Sequence, residues 1–226
     1  MNAFRLARHE ARFAWLRFRL RLRNFRSGLG DSGWLLHGMV RAQKPEVCVE
    51  IGSAHGYSTC LIALALEQNL AGHLWAVDPH LPNDWSDSDA ADTYRSLRGN
   101  LAAIGQAARR VHIVRKRTAE ALPDLPPKVD FAFIDGDHSY EGAKFDWQAL
   151  QPRMTPFGVV VFHDTLWDRF ADDPHYRQWR RAGMGVPRLL EEIRQEGYPV
   201  VTFSRDWGVT LVQATRGGQS FAASVH

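Results

Sequence analysis

Between residues 45 and 163 the chain alternates short, almost purely apolar runs with longer segments whose apolar residues recur every three or four positions. The apolar runs fall at 47–51, 73–78, 111–116, 129–135 and 157–163. Runs this short, bounded by Gly, Pro or Asp, predict strands buried on both faces. The periodic segments after them predict helices, and a further short helix is expected at 34–42, before the first strand. Strand alternating with helix predicts an α/β fold: a doubly wound, mostly parallel sheet with helices on both faces. Two more apolar runs, 198–203 and 208–212, are split by Ser204, Arg205, Asp206 and Trp207. That short break predicts an antiparallel hairpin, giving seven strands with the last one antiparallel. Right-handed crossovers then place a ligand site at the carboxyl ends of the strands.

Residues 3–26 carry a different pattern. Phe4, Ala7, Ala11, Trp15, Phe18, Leu22 and Phe25 form one helical stripe, and Leu6, Phe13, Leu16 and Leu20 form a second. Most of the arginines lie between the two. Two readings stay open: packing on the chain's own domain or on a twin subunit, and an arm lying on anionic lipid or an acidic partner. A Gly/Ser/Asp breaker at 27–33 separates this segment from the rest. The expected division is a basic helical extension at 1–33, one catalytic-size domain at 34–214 and a tail at 215–226. Two long polar and aromatic loops, 80–91 and 166–185, follow strand ends and could overhang the site.

Composition narrows the class. The 226 residues are 45% apolar and 11% aromatic, enough for one sizeable core. Cys48 and Cys60 both sit in apolar segments and form no paired motif, which suits a reduced, cytoplasmic protein. Arginines interrupt every apolar run near the N-terminus, and no run is long enough to span a bilayer. The net charge of +3 is uneven: residues 1–26 hold eight arginines against Glu10 alone, and the remainder is mildly acidic. Nucleic acid is therefore not an expected partner. The expected location is cytoplasmic, with peripheral contact at the inner membrane face if residues 3–26 bind lipid.

Where the first strand stops, the chain reads VEIGSAHGYSTC, residues 49–60. Gly52 and Gly56 let a ligand approach the backbone, and the following helix offers free N–H groups. Ser58 or Thr59 is expected to cap that helix. Asp78 closes the second strand, where a carboxylate can accept both ribose hydroxyls of an adenosine cofactor. The turn is not the dinucleotide pattern, because position 54 is Ala.

Glu50, Gly52, Ser53, Ala54, His55, Gly56, Tyr57 and Ser58 together resemble the first motif of class I S-adenosylmethionine-dependent methyltransferases, especially the catechol O-methyltransferase-like group. The stretches FIDGDHSYE, 133–141, and FHDT, 162–165, resemble the macrocin O-methyltransferase-related branch. The resemblance covers about residues 35–214. It implies that the turn holds the methionine end of S-adenosylmethionine, with Glu50 near its ammonium group and Asp78 on the ribose. Thr118, Ala119 and Glu120 match the adenine contact. Asp135 and Asp164 match acidic positions that bind Mg²⁺ in metal-dependent members. It further implies a hydroxyl acceptor on a small molecule or glycan, and a sugar, glycolipid or natural product suits the branch; Trp85, Trp167 and Trp179 could stack on sugar rings. A homo-oligomer is expected as well.

The strand ends support this chemistry independently. Asp135 and Asp164 each end a buried strand, and neighbouring strands lie about 4.8 Å apart, so their carboxylates can converge. Two carboxylates with water and substrate oxygens suit Mg²⁺. His138 could be a ligand or the proton-accepting base, and His163 is a second candidate. Catechol-type enzymes carry Asp-Asn at the second metal position, where this chain has Asp164 and Thr165; the third ligand is left to His138 or His163. Asp137 is expected to cap the helix from Tyr140. A calcium loop starting at Asp135 is excluded by Tyr140 and Asp146 at its glycine and twelfth positions. Tyr140 and Lys144 have the short-chain dehydrogenase spacing. That alternative lacks a glycine at Ser58 and a serine at Pro127. A non-catalytic cofactor-binding assembly protein is the other alternative.

Overall fold

In the computed structural model, which describes residues 27–81, 92–170 and 185–217 together with Ala11, Ala14, Trp15, Phe18, Leu20 and Phe25, the apolar runs pair into one seven-stranded sheet. The strands are β1 (Val47–Ile51), β2 (His73–Val77), β3 (Val111–Val114), β4 (Val129–Ile134), β5 (Met154–His163), β6 (Val200–Phe203) and β7 (Val209–Gln213). Their order is β3-β2-β1-β4-β5-β7-β6. The first five run parallel, and β7 pairs antiparallel with both β5 and β6. The predicted doubly wound sheet with a closing hairpin is therefore the observed one. The order reverses between β1 and β4, which places the switch point beside the turn after β1.

The helices are α1 (Gly33–Gln43), α2 (Tyr57–Asn69), α3 (Thr93–Ala103), α4 (Thr118–Ala121), α5 (Tyr140–Leu150) and α6 (Val186–Gln195). Alternation along each strand feeds two core layers. Val49, Ile51, Ala132, Ile134, Val160 and Phe162 face α5 and α6. Cys48, Phe131, Phe133 and Val161 face the other way, against Leu36, Val40, Ile62 and Leu66 of α1 and α2. α2 is buried almost all round, because α3 and a third cluster cover its outer side.

β5 starts at Met154, three residues before the predicted 157. Asp130 explains the extension. The β4–β5 register shifts between Val129 and Phe131, and Asp130 there accepts hydrogen bonds from Thr155 Oγ1 and from the amides of Glu46 and Val47. A polar residue inside an apolar run thus ties three segments at the amino ends of the strands.

Of the predicted helix at 3–26, Ala11, Ala14, Trp15, Phe18 and Leu20 are helical and Phe25 is not; the other positions lie outside the described residues. Leu20 and Phe25 are buried against α2 and α3, whereas Trp15 and Phe18 are exposed. The loop tryptophans Trp85 and Trp179 also fall outside the described residues.

Candidate functional site

The turn after β1 is shaped by close backbone approach. Gly52 has φ +89°, and a Cβ there would collide with the carbonyl oxygen of Asp135. Only glycine lets β1 and β4 run this close at their carboxyl ends. Gly56 has φ +86° and is the N-cap of α2; no side chain caps that helix. The expected cap by Ser58 or Thr59 is thus corrected. Both side chains turn inward instead, and Thr59 Oγ1 donates to Glu50 Oε2 across 2.5 Å. The reason is the buried Glu50, whose carboxyl draws the hydroxyls of Ser58 and Thr59. Asn100 on α3 holds the turn from outside, donating from Nδ2 to the His55 carbonyl at 2.7 Å.

Glu50 is fully buried, and its Oε1 has no hydrogen-bond partner among the described residues. Burial pushes its carboxyl up to about 7, against hydrogen bonds from Ser58 and Thr59 that pull it down; Asp135 and Asp78 push the same way as burial. Ser53 Oγ is likewise buried without a partner. Asp78 accepts from the Ala54 amide at 2.8 Å and from the His80 amide at 2.6 Å. Two adjoining strand ends therefore share a set of polar groups, with one carboxylate oxygen and one hydroxyl unpartnered among the described residues.

Thr118 begins α4 just after β3. It hydrogen-bonds Asp146 of α5, a residue the sequence reading did not select. Burial raises Asp146 to about 6, opposed by the Thr118 bond and reinforced by Asp137. Only the pairing of α4 with α5 in space reveals it.

At the ends of β4 and β5 the register sets Ile134 beside Phe162, so Asp135 stands beside His163. His163 Nδ1 lies 3.1 Å from Asp135 Oδ1, and Nε2 lies 2.8 Å from the Asp206 carbonyl. Both nitrogens thus face acceptors. Although burial alone would lower it, Asp164 and Asp135 drive His163 up to about 10, which favours the protonated ring. Asp164 follows with φ +56°, a left-handed conformation that Asp tolerates better than most residues. Burial raises its carboxyl, while His163 and His138 oppose that rise. Nε2 of His138 lies 3.1 Å from Asp164 Oδ2 and 3.7 Å from Asp135 Oδ1.

Asp135, His138 and Asp164 each offer one ligand atom, all within 4.8 Å of one another. The donor set fits a small divalent cation that keeps water or substrate oxygens in its remaining positions. Thr165 Oγ1, on the next residue of the chain, is buried and has no hydrogen-bond partner among the described residues.

Asp137 does not cap α5, contrary to expectation. Ser139 does, accepting from the Gly142 amide at 3.0 Å, and Asp137 accepts the Ser139 amide. Ser139 wins because its extended backbone aims the hydroxyl at the first turn. Tyr140 and Lys144 form no dehydrogenase-like pair at the site: Tyr140 Oη donates to Glu192 of α6, and Lys144 bonds both.

The sequence reading also missed Asp206. Its side chain accepts from the amide and hydroxyl of Ser32 at 2.9 and 2.7 Å, while its carbonyl receives His163. The segment leading out of the N-terminal extension is therefore fastened to the turn that steadies His163.

A family model described as a methyltransferase domain matches residues 49–165, from β1 through the end of β5. The uncharacterized protein y4gI of Sinorhizobium fredii is 32% identical over 141 residues, which are 59% of this chain and 15% of that protein. The chain thus spans only a small part of that relative's length. The O-methyltransferase TomG of Streptomyces achromogenes, solved with S-adenosylmethionine, is 26% identical with a TM-score of 0.60, covering 81% of this chain and 79% of that one. A methyltransferase of Podospora anserina, solved with S-adenosylhomocysteine, reaches a TM-score of 0.65 at 16% identity, covering 91% and 86%. With its turn, its strand-end carboxylates and its sheet order in place, the chain belongs to the methyltransferase-domain family and has the fold of the class I S-adenosylmethionine-dependent O-methyltransferases.

Proposed function

We propose that the protein transfers a methyl group from S-adenosylmethionine to a hydroxyl oxygen over the ends of β1, β4 and β5. The observation that carries this reading is the buried, half-partnered Glu50 beneath a glycine turn, with the Asp135, His138 and Asp164 cluster on the neighbouring strand ends. An ammonium group would supply the counter-charge that Glu50 Oε1 lacks. Gly52, Ser53, Ala54, Gly56, Tyr57 and Ser58 would line the methionine end. Asp78 would exchange its amide partners for ribose hydroxyls, and Thr118 with Ala119 would border adenine.

Asp135, Asp164 and His138 would hold a divalent ion such as Mg²⁺, which supplies Lewis acidity toward an acceptor hydroxyl when bound. The methyl carbon is already activated on sulfur. The protein's task is then to align the oxygen behind it and to exclude water. The oxygen forms a bond to the methyl carbon as the carbon–sulfur bond breaks, leaving S-adenosylhomocysteine and one proton. His138 serves as ligand or takes that proton; His163 does neither, because both its nitrogens already face acceptors. His163 is a positioning residue that holds Asp135. A sugar-bearing or glycolipid acceptor suits the tryptophan pair at the rim, where Trp167 and Trp207 stand 4.6 Å apart.

A thermal-shift titration tests the cofactor: S-adenosylhomocysteine should stabilise the protein and NAD should not. Asp164→Ala should keep that shift while abolishing transfer. Turnover undiminished in EDTA would remove the ion and leave His138 as base. A shift from NAD alone would overturn the whole reading.

A further inference from the structure

The apolar side chains of the N-terminal extension part company in the fold. Leu20 is 2% exposed and Phe25 is 7% exposed, both packed with Leu61, Leu64, Leu97 and Leu101. Phe25 lies on Tyr57, ring centroids 5.0 Å apart, at the first residue of α2. Tyr57 in turn donates from Oη to the Gly30 carbonyl at 2.9 Å. The extension is therefore anchored beside the candidate cofactor turn.

Its earlier turns present aromatic side chains to water. Trp15 is 56% exposed and Phe18 is 51% exposed, their rings stacked at 5.8 Å. Ala11 and Ala14 are exposed as well. At about 100° per residue, Ala11, Ala14, Trp15 and Phe18 share an arc of roughly 100°, with Leu20 opposite. A stacked aromatic pair on solvent, next to small residues, is an uncovered face.

Charge selects its occupant. Residues 1–26 hold eight arginines and one acid, whereas the rest of the chain is mildly acidic. A second copy would bring the same arginine-rich segment against this one, and like charges would oppose their approach. An anionic bilayer offers what both features need. Its headgroups attract the guanidinium groups, and its interface accepts an indole with one apolar and one polar edge. We infer that the Trp15–Phe18 face seats the protein on an anionic lipid surface, with Leu20 and Phe25 clamping the arm to the catalytic body. This docking is independent of the methyl-transfer reading.

Flotation of the full-length protein with vesicles tests it. Wild type should rise with phosphatidylglycerol-rich vesicles, stay behind with pure phosphatidylcholine, and be released by raised salt. Trp15→Ala/Phe18→Ala should lower the partition at least about tenfold, with an unchanged Tm and an unchanged shift by S-adenosylhomocysteine. Leu20→Ala serves as the contrast: it should lower Tm, because it loosens the anchor. Equal binding to both vesicle types would overturn the inference, as would equal binding by wild type and the double variant. So would a dimer in solution that Trp15→Ala/Phe18→Ala converts to monomer, since the face would then belong to a subunit contact. Asp164→Ala should float like wild type, so loss of transfer and loss of docking are separately readable.

Discussion

His163 on β5 donates from Nδ1 to Oδ1 of Asp135 on β4 across 3.1 Å, at the point where both strands end. The contact joins a strand-end cation to a strand-end carboxylate of the candidate metal cluster. His163 is nearly sealed from water, so its charge is compensated by Asp135, Asp164 and the Asp206 carbonyl.

Removing that cation leaves two carboxylates facing each other with only His138 beside them. His163→Leu should destabilise the protein by about 3–5 kcal/mol in urea unfolding. A double-mutant cycle with Asp135→Asn should return a coupling of about 1–3 kcal/mol. Additive effects would mean that the ring merely fills space.

Glu50 ties cofactor affinity to pH. Its carboxyl is raised to about 7, so the fold favours the neutral form. An ammonium group prefers the ionised form. Affinity for S-adenosylhomocysteine should therefore rise from about pH 6 to about pH 8. Calorimetric titration of Glu50→Gln should show a flat profile and weaker binding.

Asp146 makes a stability prediction of unusual sign. Its folded value of about 6 lies above the ordinary 3.8, so its contribution is fully present below the unfolded value and is lost as pH rises through 6. Glu50 acts in the same sense up to about 7. The ligand-free protein should lose stability between about pH 4 and pH 7, by about 2–3 kcal/mol from Asp146. Urea midpoints of Asp146→Asn should lack that part of the slope.

Gly52 is constrained twice, by φ +89° and by the Asp135 carbonyl. Gly52→Ala must separate β1 from β4, at a cost of about 2–4 kcal/mol. Thermal unfolding should show the loss, and the S-adenosylhomocysteine shift should vanish with it. Gly105 is the control: it also has positive φ but nothing near its Cβ position, so Gly105→Ala should cost only about 1 kcal/mol of backbone strain.

The amino-acid sequence by itself determined the elements and the rim. Strand length, helical period and Gly/Asp punctuation are local properties. They located β1 through β7, the turn at Gly52 and the acidic ends at Asp78, Asp135 and Asp164. Tertiary structure decided the partners. The β4–β5 register put His163 beside Asp135, and the inward pull of a buried Glu50 took Thr59 from its expected cap. The left-handed turn at Asp206 caught both His163 and Ser32, and packing on α2 and α3 chose which side chains of the arm to sink. Period and propensity are written within a few residues of chain. Register, counter-charge and burial arise only when separate segments meet, 28 residues apart for Asp135 and His163 and 174 for Ser32 and Asp206, and no local pattern records those meetings.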